Sequence, residues 1–199
     1  MILLTAFEPF GGESVNPAEL AVRSLEGSSI RTLILPVEYG RAARMAADEI
    51  RRLQPHAVIC TGQAGGRKGI TPEKYAFNLR SSSSPDNAGK ICLEEPVLPG
   101  GPEKLESRFG AEAIAKAIQR KGIPAYVSES AGRFVCNDVM YSVLYELKDT
   151  SVPAGFIHVP FCTEQAARHP DAFAMSVGDI SKGLLAAVEH IKTAFGVDL

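Results

Sequence analysis

Residues 30–62 read IRTLILPVEYGRAARMAADEIRRLQPHAVICTG, and this stretch decides the fold. It begins with an apolar run, IRTLILPV (30–37), and ends with another, AVICTG (57–62). Between them YGRAARMAADEIRRLQ (39–54) sets apolar residues at helical spacing against charged ones, and Pro55 stops the pattern. The unit is strand, helix, strand. Its strands show little polar alternation, which is the pattern of strands covered on both faces in a parallel sheet.

The same alternation continues outward. ILLTAF (2–7) is a predicted strand, and Asn16-Pro17 is an N-cap and first-turn pair that opens a helix over PAELAVRSL (17–25). QAGGRKGITPEKYAFNLR (63–80) starts as a Gly-rich loop and becomes extended, and residues 81–102, rich in Ser, Pro and Gly, read as irregular. AEAIAKAIQRKG (111–122) is a helix, AYVSES (125–130) a strand, CNDVMYSVLYELK (136–148) a helix, AGFIHVPF (154–161) a strand and VGDISKGLLAAVEHIKTAF (177–195) a final helix. There is no internal repeat and no linker. The expectation is α/β: one domain over residues 1–199, a three-layer α/β/α sandwich around a largely parallel, twisted central sheet.

Composition narrows the function classes. A chain of 199 residues, 45% hydrophobic and 22% charged, can bury a sizeable core. Lys plus Arg number 21 against 23 Asp plus Glu, a net charge of -2, so no basic excess points to nucleic acid or to an anionic membrane. No run is long enough to span a bilayer, and MILLTAFEPFGG lacks the basic start of a signal peptide, so the expected location is the cytoplasm. Cys60, Cys92, Cys136 and Cys162 form no C-x-x-C pair and no Cys/His cluster of zinc spacing. No metal site is expected, and in a reducing compartment the four are free thiols.

In open α/β sheets, sites form beyond the carboxyl ends of strands. EPFGG follows the first predicted strand, QAGGR and then Glu73 follow AVICTG, AGRFVC follows AYVSES, and His158 lies near the end of AGFIHVPF. One sheet edge thus gathers a Cys, a His and a Glu. Cys136 opens a helix, where backbone N–H groups and the helix dipole favour a thiolate and a lowered pKa. His158 can take the thiol proton, and Glu73 can orient the imidazole. Each also has an ordinary structural reading: a core cysteine, a satisfied strand histidine, a solvated carboxylate. FEPFGG and GQAGGRKG match neither the P-loop nor the dinucleotide fingerprint, and serve better as tight turns beside a ligand. Phe7 and Phe10 are either core or the wall of an apolar pocket, with Asn16 near enough to hydrogen-bond a polar ligand atom.

Five segments in order carry a family resemblance: TAFEPFGGESVNP (5–17), GQAGGRKGITPEKYAFN (62–78), PDNAGK (85–90), SAGRFVCN (130–137) and GFIHVPF (155–161) followed by Glu164-Gln165. The chain resembles the pyrrolidone carboxyl peptidase, or pyroglutamyl peptidase I, family of cysteine peptidases over nearly its whole length. The resemblance implies Cys136 as nucleophile, His158 as base and acid, and Glu73 as the residue orienting His158. It implies removal of an N-terminal pyroglutamyl residue from peptides through a thioester acyl-enzyme, with no metal or organic cofactor. It also implies a lactam pocket lined by Phe7, Phe10, Phe134 and Val135, with Asn16 and Gln63 close by, and assembly as a homotetramer. The chain departs from the family pattern with Ala6 for Gly, Lys74 for Arg, and Ser83 where many members have Arg, with Arg80 a possible substitute. The alternatives are a nucleoside-phosphorylase-like enzyme using Arg67 for phosphate, and a catalytically weakened binding protein on the same scaffold.

Overall fold

Ile2, Leu4 and Ala6 face one side of the first strand and Leu3 and Phe7 the other, and all are buried. That two-sided burial makes this a central strand. The structure, a computed structural model, describes residues 1–197. Its elements run β1 (Ile2–Phe7), α1 (Pro17–Arg23), β2 (Ile30–Leu35), α2 (Arg41–Leu53), β3 (Ala57–Gln63), β4 (Thr71–Pro72), β5 (Tyr75–Phe77), β6 (Arg80–Ser82), β7 (Cys92–Glu95), β8 (Lys104–Glu106), α3 (Ala111–Gln119), α4 (Val135–Glu146), β9 (Ala154–Val159), β10 (Phe161–Cys162), β11 (Ala174–Met175) and α5 (Val177–Phe195).

The main sheet has the order β2-β1-β3-β9-β4. Its first four strands are parallel, and the short edge strand β4 runs antiparallel to β9. Helices α1, α3 and α5 cover one face, where Ile59 and Ile157 meet Val22, Ile114 and Leu184. Helices α2 and α4 cover the other, where Cys60 and Phe156 meet Ile50, Val139 and Leu144. After β1 the chain moves outward to β2, and α2 then carries it back past β1 to β3. The loops following β1 and β3 therefore part and leave a crevice, the place where such sheets bind ligands.

Two sequence expectations are corrected. Residues 125–130 form no regular strand. They run parallel beside residues 70–73 at the sheet edge, joined by the isolated bridges Ile70↔Ala125 and Glu73↔Ser128. The ladder stops there because Ser128 and Ser130 turn inward on each other through the Ser128 side chain. The segment 81–102 is not wholly irregular, since β6 and β7 pair antiparallel through Arg80↔Glu95 and Ser82↔Cys92. Its turn is built by Asp86, whose Oδ1 accepts from Ala88 and Lys90 N–H, a local side-chain device that hides a hairpin inside a Ser- and Pro-rich string.

The start of α4 is tied down from two sides. Asn137 Oδ1 accepts from Phe77 N–H at 2.8 Å, and its amide donates to the carbonyls of Phe77 and Leu79. Asp138, fully buried, accepts from the Arg80 guanidinium at 2.7 Å on Oδ1 and from Gly40 N–H at 2.7 Å on Oδ2. The N-terminus of α4 is thereby fixed to β5, β6 and the start of α2. Asp138→Asn leaves Arg80 without its counter-charge and sets an amide against Gly40 N–H. It should cost about 3–5 kcal/mol in urea unfolding.

Candidate active site

Gly62 at the end of β3 and His158 on β9 are register partners in the parallel sheet, and their side-chain positions face the α2/α4 layer. A Cβ built on Gly62 would stand 3.1 Å from Cys136 Sγ and 2.9 Å from the Phe156 ring. The thiol therefore occupies the space that glycine leaves open, one strand over from the imidazole. On the other side of His158, Thr71 in β4 is its antiparallel partner, and Glu73 follows two residues later on the same face. Glu73 Oε1 lies 2.6 Å from His158 Nδ1, with Glu73 wholly buried and His158 nearly so. A carboxylate only accepts, so His158 Nδ1 carries the shared hydrogen, and Nε2 is the ring nitrogen that Glu73 leaves unengaged. Cys136, His158 and Glu73 thus come together from α4, β9 and the segment after β4.

The loop before Cys136 needs a sharp change of direction, and Gly132 makes it with φ of 81°. Phe134 then sits in extended backbone as the N-cap, with no side-chain cap on the first turn. The N–H groups at the start of a helix favour negative charge nearby.

The expected lowering of the Cys136 pKa is overturned. Burial and the charge of Glu73 push the thiol up to about 12, and its own backbone N–H and Arg67 only partly oppose this. The physical reason is that the site is desolvated and already holds a carboxylate, so a second anion is disfavoured. The described residues show no hydrogen bond between Cys136 and His158, and the raised pKa keeps Cys136 a thiol at neutral pH.

The pocket candidates divide by position. Phe10 and Phe134 are half-buried, with ring centroids 6.4 Å apart, and Tyr39, which the sequence reading did not single out, meets Phe134 edge-on at 5.4 Å. Phe10 stands on the loop after β1, Tyr39 is buried after β2, and Phe134 precedes α4. Phe7 and Val135 lie behind them in the core, Phe7 against Phe156 at 6.4 Å. Asn16 is buried as the N-cap of α1, its Oδ1 accepting from Ala18 N–H and its amide donating to Glu8 carbonyl. It shapes the first loop from within. Gln63 is half-buried, with Oε1 held by Gln165 at 3.0 Å. Gln165 also donates to Glu13 and accepts from Cys162 N–H, so it links three loops. Its only signal in the sequence was its place after the histidine motif.

Ser83 is exposed in the turn after β6, and Arg80 is committed to Asp138. The cation beside the buried dyad is Arg67, 2.9 Å from Glu73 Oε1. A hollow of about 820 Å³ lies at the amino ends of β3 and β9, between Ile50, His56, Leu147 and Val152, and holds none of these residues. Among the described residues no group of His, Cys, Asp and Glu side chains is arranged to hold a metal, and no helix is long and apolar enough to cross a membrane.

Comparison with known proteins places nearly the whole chain in one family. The family model for pyroglutamyl peptidase matches residues 1–194. A pyrrolidone-carboxylate peptidase of Chromobacterium violaceum is 44% identical over 193 residues, covering 94% of this chain and 90% of the relative. The crystal structure of pyroglutamyl peptidase I from Bacillus amyloliquefaciens superposes with a TM-score of 0.92 at 38% identity, covering 96% of this chain and 93% of that one. A variant of pyrrolidone carboxyl peptidase from Pyrococcus furiosus gives 0.91 at 33% identity, with coverage of 97% and 98%.

Of the four free cysteines only Cys136 is not fully buried. Iodoacetamide should therefore label Cys136 first, as read by peptide mass spectrometry. With the thiol pKa raised, the thiolate fraction is still climbing at neutral pH. The labelling rate should rise about tenfold per pH unit from pH 7 to 9 without levelling off. A plateau below pH 8 would indicate a preformed thiolate.

Proposed function

This chain belongs to the pyroglutamyl peptidase family, cysteine peptidases that remove an N-terminal pyroglutamyl residue from peptides, and we propose that Cys136, His158 and Glu73 carry out that reaction here. The observation that carries the assignment is the 2.6 Å contact between buried Glu73 and His158, set one strand from the Cys136 thiol.

The steps follow from the protonation states. His158 Nε2 takes the proton of Cys136 as Sγ bonds to the pyroglutamyl carbonyl carbon. The oxygen becomes an anion facing the N–H groups at the start of α4, an arrangement whose single donors are typically worth about 10²- to 10³-fold in rate. Glu73 stabilises the imidazolium that forms. The imidazolium then gives its proton to the leaving nitrogen, the C–N bond breaks, and the truncated peptide departs. Water, deprotonated by His158, attacks the thioester, and the C–S bond breaks to release pyroglutamate. The thiolate takes back the proton held by His158. The raised thiol pKa favours proton transfer concerted with attack over a standing ion pair.

Specificity follows from charge. The lactam ties up the terminal nitrogen, so a pyroglutamyl group enters neutral and can be buried between Phe10, Phe134 and Tyr39, at roughly 25 cal/mol per Å². A free terminal ammonium would lose its hydration there, at a cost of several kcal/mol. Gln63, with its Oε1 held by Gln165, is the group we assign to the lactam's polar edge, while Phe7, Val135 and Asn16 support the pocket from behind.

We also read residues 1–199 as one peptidase domain, working in the cytoplasm as a homo-oligomer, a tetramer by family resemblance. Support comes from four unpaired cysteines, which suit a reducing compartment, and from Ile91 and Leu93, which are exposed beside and on β7.

Release of a fluorophore from a pyroglutamyl amide tests the reading, and no release would sink it. Cys136→Ala should abolish turnover, while Cys60→Ala and Cys162→Ala keep it. Glu73→Gln, which permits the wrong imidazole tautomer, should lower kcat by about 10⁴-fold with the fold intact.

A further inference from the structure

The sequence offers Arg67 as a cation for phosphate, and the structure turns its guanidinium inward. Nη1 donates to Thr71 Oγ1 at 2.9 Å, while Nη2 donates to the Ser130 carbonyl at 3.3 Å and lies 2.9 Å from Glu73 Oε1. Thr71 is the register partner of His158, and Ser130 belongs to the loop leading to Cys136. One side chain thus touches the edge strand beside the histidine, the histidine's carboxylate, and the nucleophile's loop.

The carboxylate itself shows why this matters. Glu73 Oε1 meets both His158 Nδ1 and Arg67, while Oε2 is buried with no hydrogen-bond partner. An unrestrained carboxylate could swing away from the imidazole or present its other oxygen. With the Arg67 fork anchored on Thr71 and Ser130, such a turn would break the ion pair as well as the bond to His158.

We infer that Arg67 is a positioning residue for the hydrolysis, holding Glu73 Oε1 on His158 Nδ1 and tying that pair to the loop that carries Cys136. The inference rests on the triad reading above. Its charge also acts. The titratable groups facing this site are Glu73, His158 on β9, Cys136 on α4 and Cys60 on β3, and Arg67 is the fixed cation among them. It opposes the upward push on the Cys136 thiol, so removing it makes the thiol hold its proton to higher pH.

The test is kcat, KM and the pH profile of kcat/KM on a pyroglutamyl fluorogenic amide, for wild type, Arg67→Met and Arg67→Lys, with circular dichroism to monitor folding. Arg67→Met should lower kcat by about 10²-fold with KM unchanged, the scale of a misplaced catalytic geometry. The basic limb of its pH profile, set by the thiol, should move to higher pH. Arg67→Lys keeps the charge and loses the fork, so that limb should stay in place while kcat falls part of the way. Wild-type kcat and an unmoved basic limb in a folded Arg67→Met would overturn the inference, as would a change in KM alone. If Arg67→Met does not fold, wild-type kcat in Arg67→Lys overturns it. Turnover by the wild type with indifferent Arg67 variants leaves the peptidase reading standing. An inactive wild type sinks both.

Discussion

The site depends on the missing side chain at Gly62. Helix α4 can bring Cys136 down onto the sheet beside His158 only because β3 presents no Cβ there, where one would stand 3.1 Å from the sulfur and 2.9 Å from Phe156. The parallel register of β3 and β9 then sets the imidazole next to that space. Close approach of backbone and ligand-bearing side chains is what glycine in a strand permits, at the expense of local packing. The packing is recovered by Phe156, whose ring centroid lies 4.6 Å from that of His158.

Electrostatics at the site work by opposition. Glu73 is buried against His158, and its charge raises the thiol beside it. Arg67, paired with the same carboxylate, partly opposes that push. Burial outweighs it, so Cys136 rests as a thiol at neutral pH.

The loops around the crevice are held by few polar residues, each with several partners. Asp86 receives the N–H groups of Tyr39, Ala88 and Lys90 and fixes the turn that Tyr39 leaves. Asn87 donates to Glu8 and to the Pro9 carbonyl, so the loop carrying Phe10 is braced by the hairpin after β6. Glu13 joins the same loop to Gln165 and His169. Buried polar networks of this kind specify one arrangement of irregular backbone where regular ladders cannot.

Much of this was legible along the chain. The strands and helices followed from apolar periodicity, from Asn16-Pro17 and from Pro55, because those signals are local and the sheet only had to accept them. The short strand β4, the β6–β7 hairpin and the loss of a regular strand at 125–130 were not legible, since each depends on a neighbour across the sheet edge. Cys136, His158 and Glu73 could be named from strand ends and from five motifs. Which of their companions serve as pocket wall, core or brace could not. Asn16 and Val135 face inward, while Tyr39, Gln165 and Arg67 acquire their places only when distant loops meet. The ionisation of the thiol was the least accessible of all. The sequence determines that a cysteine starts a helix, but only the folded chain decides how dry that position is and which charges stand beside it, and those set its pKa.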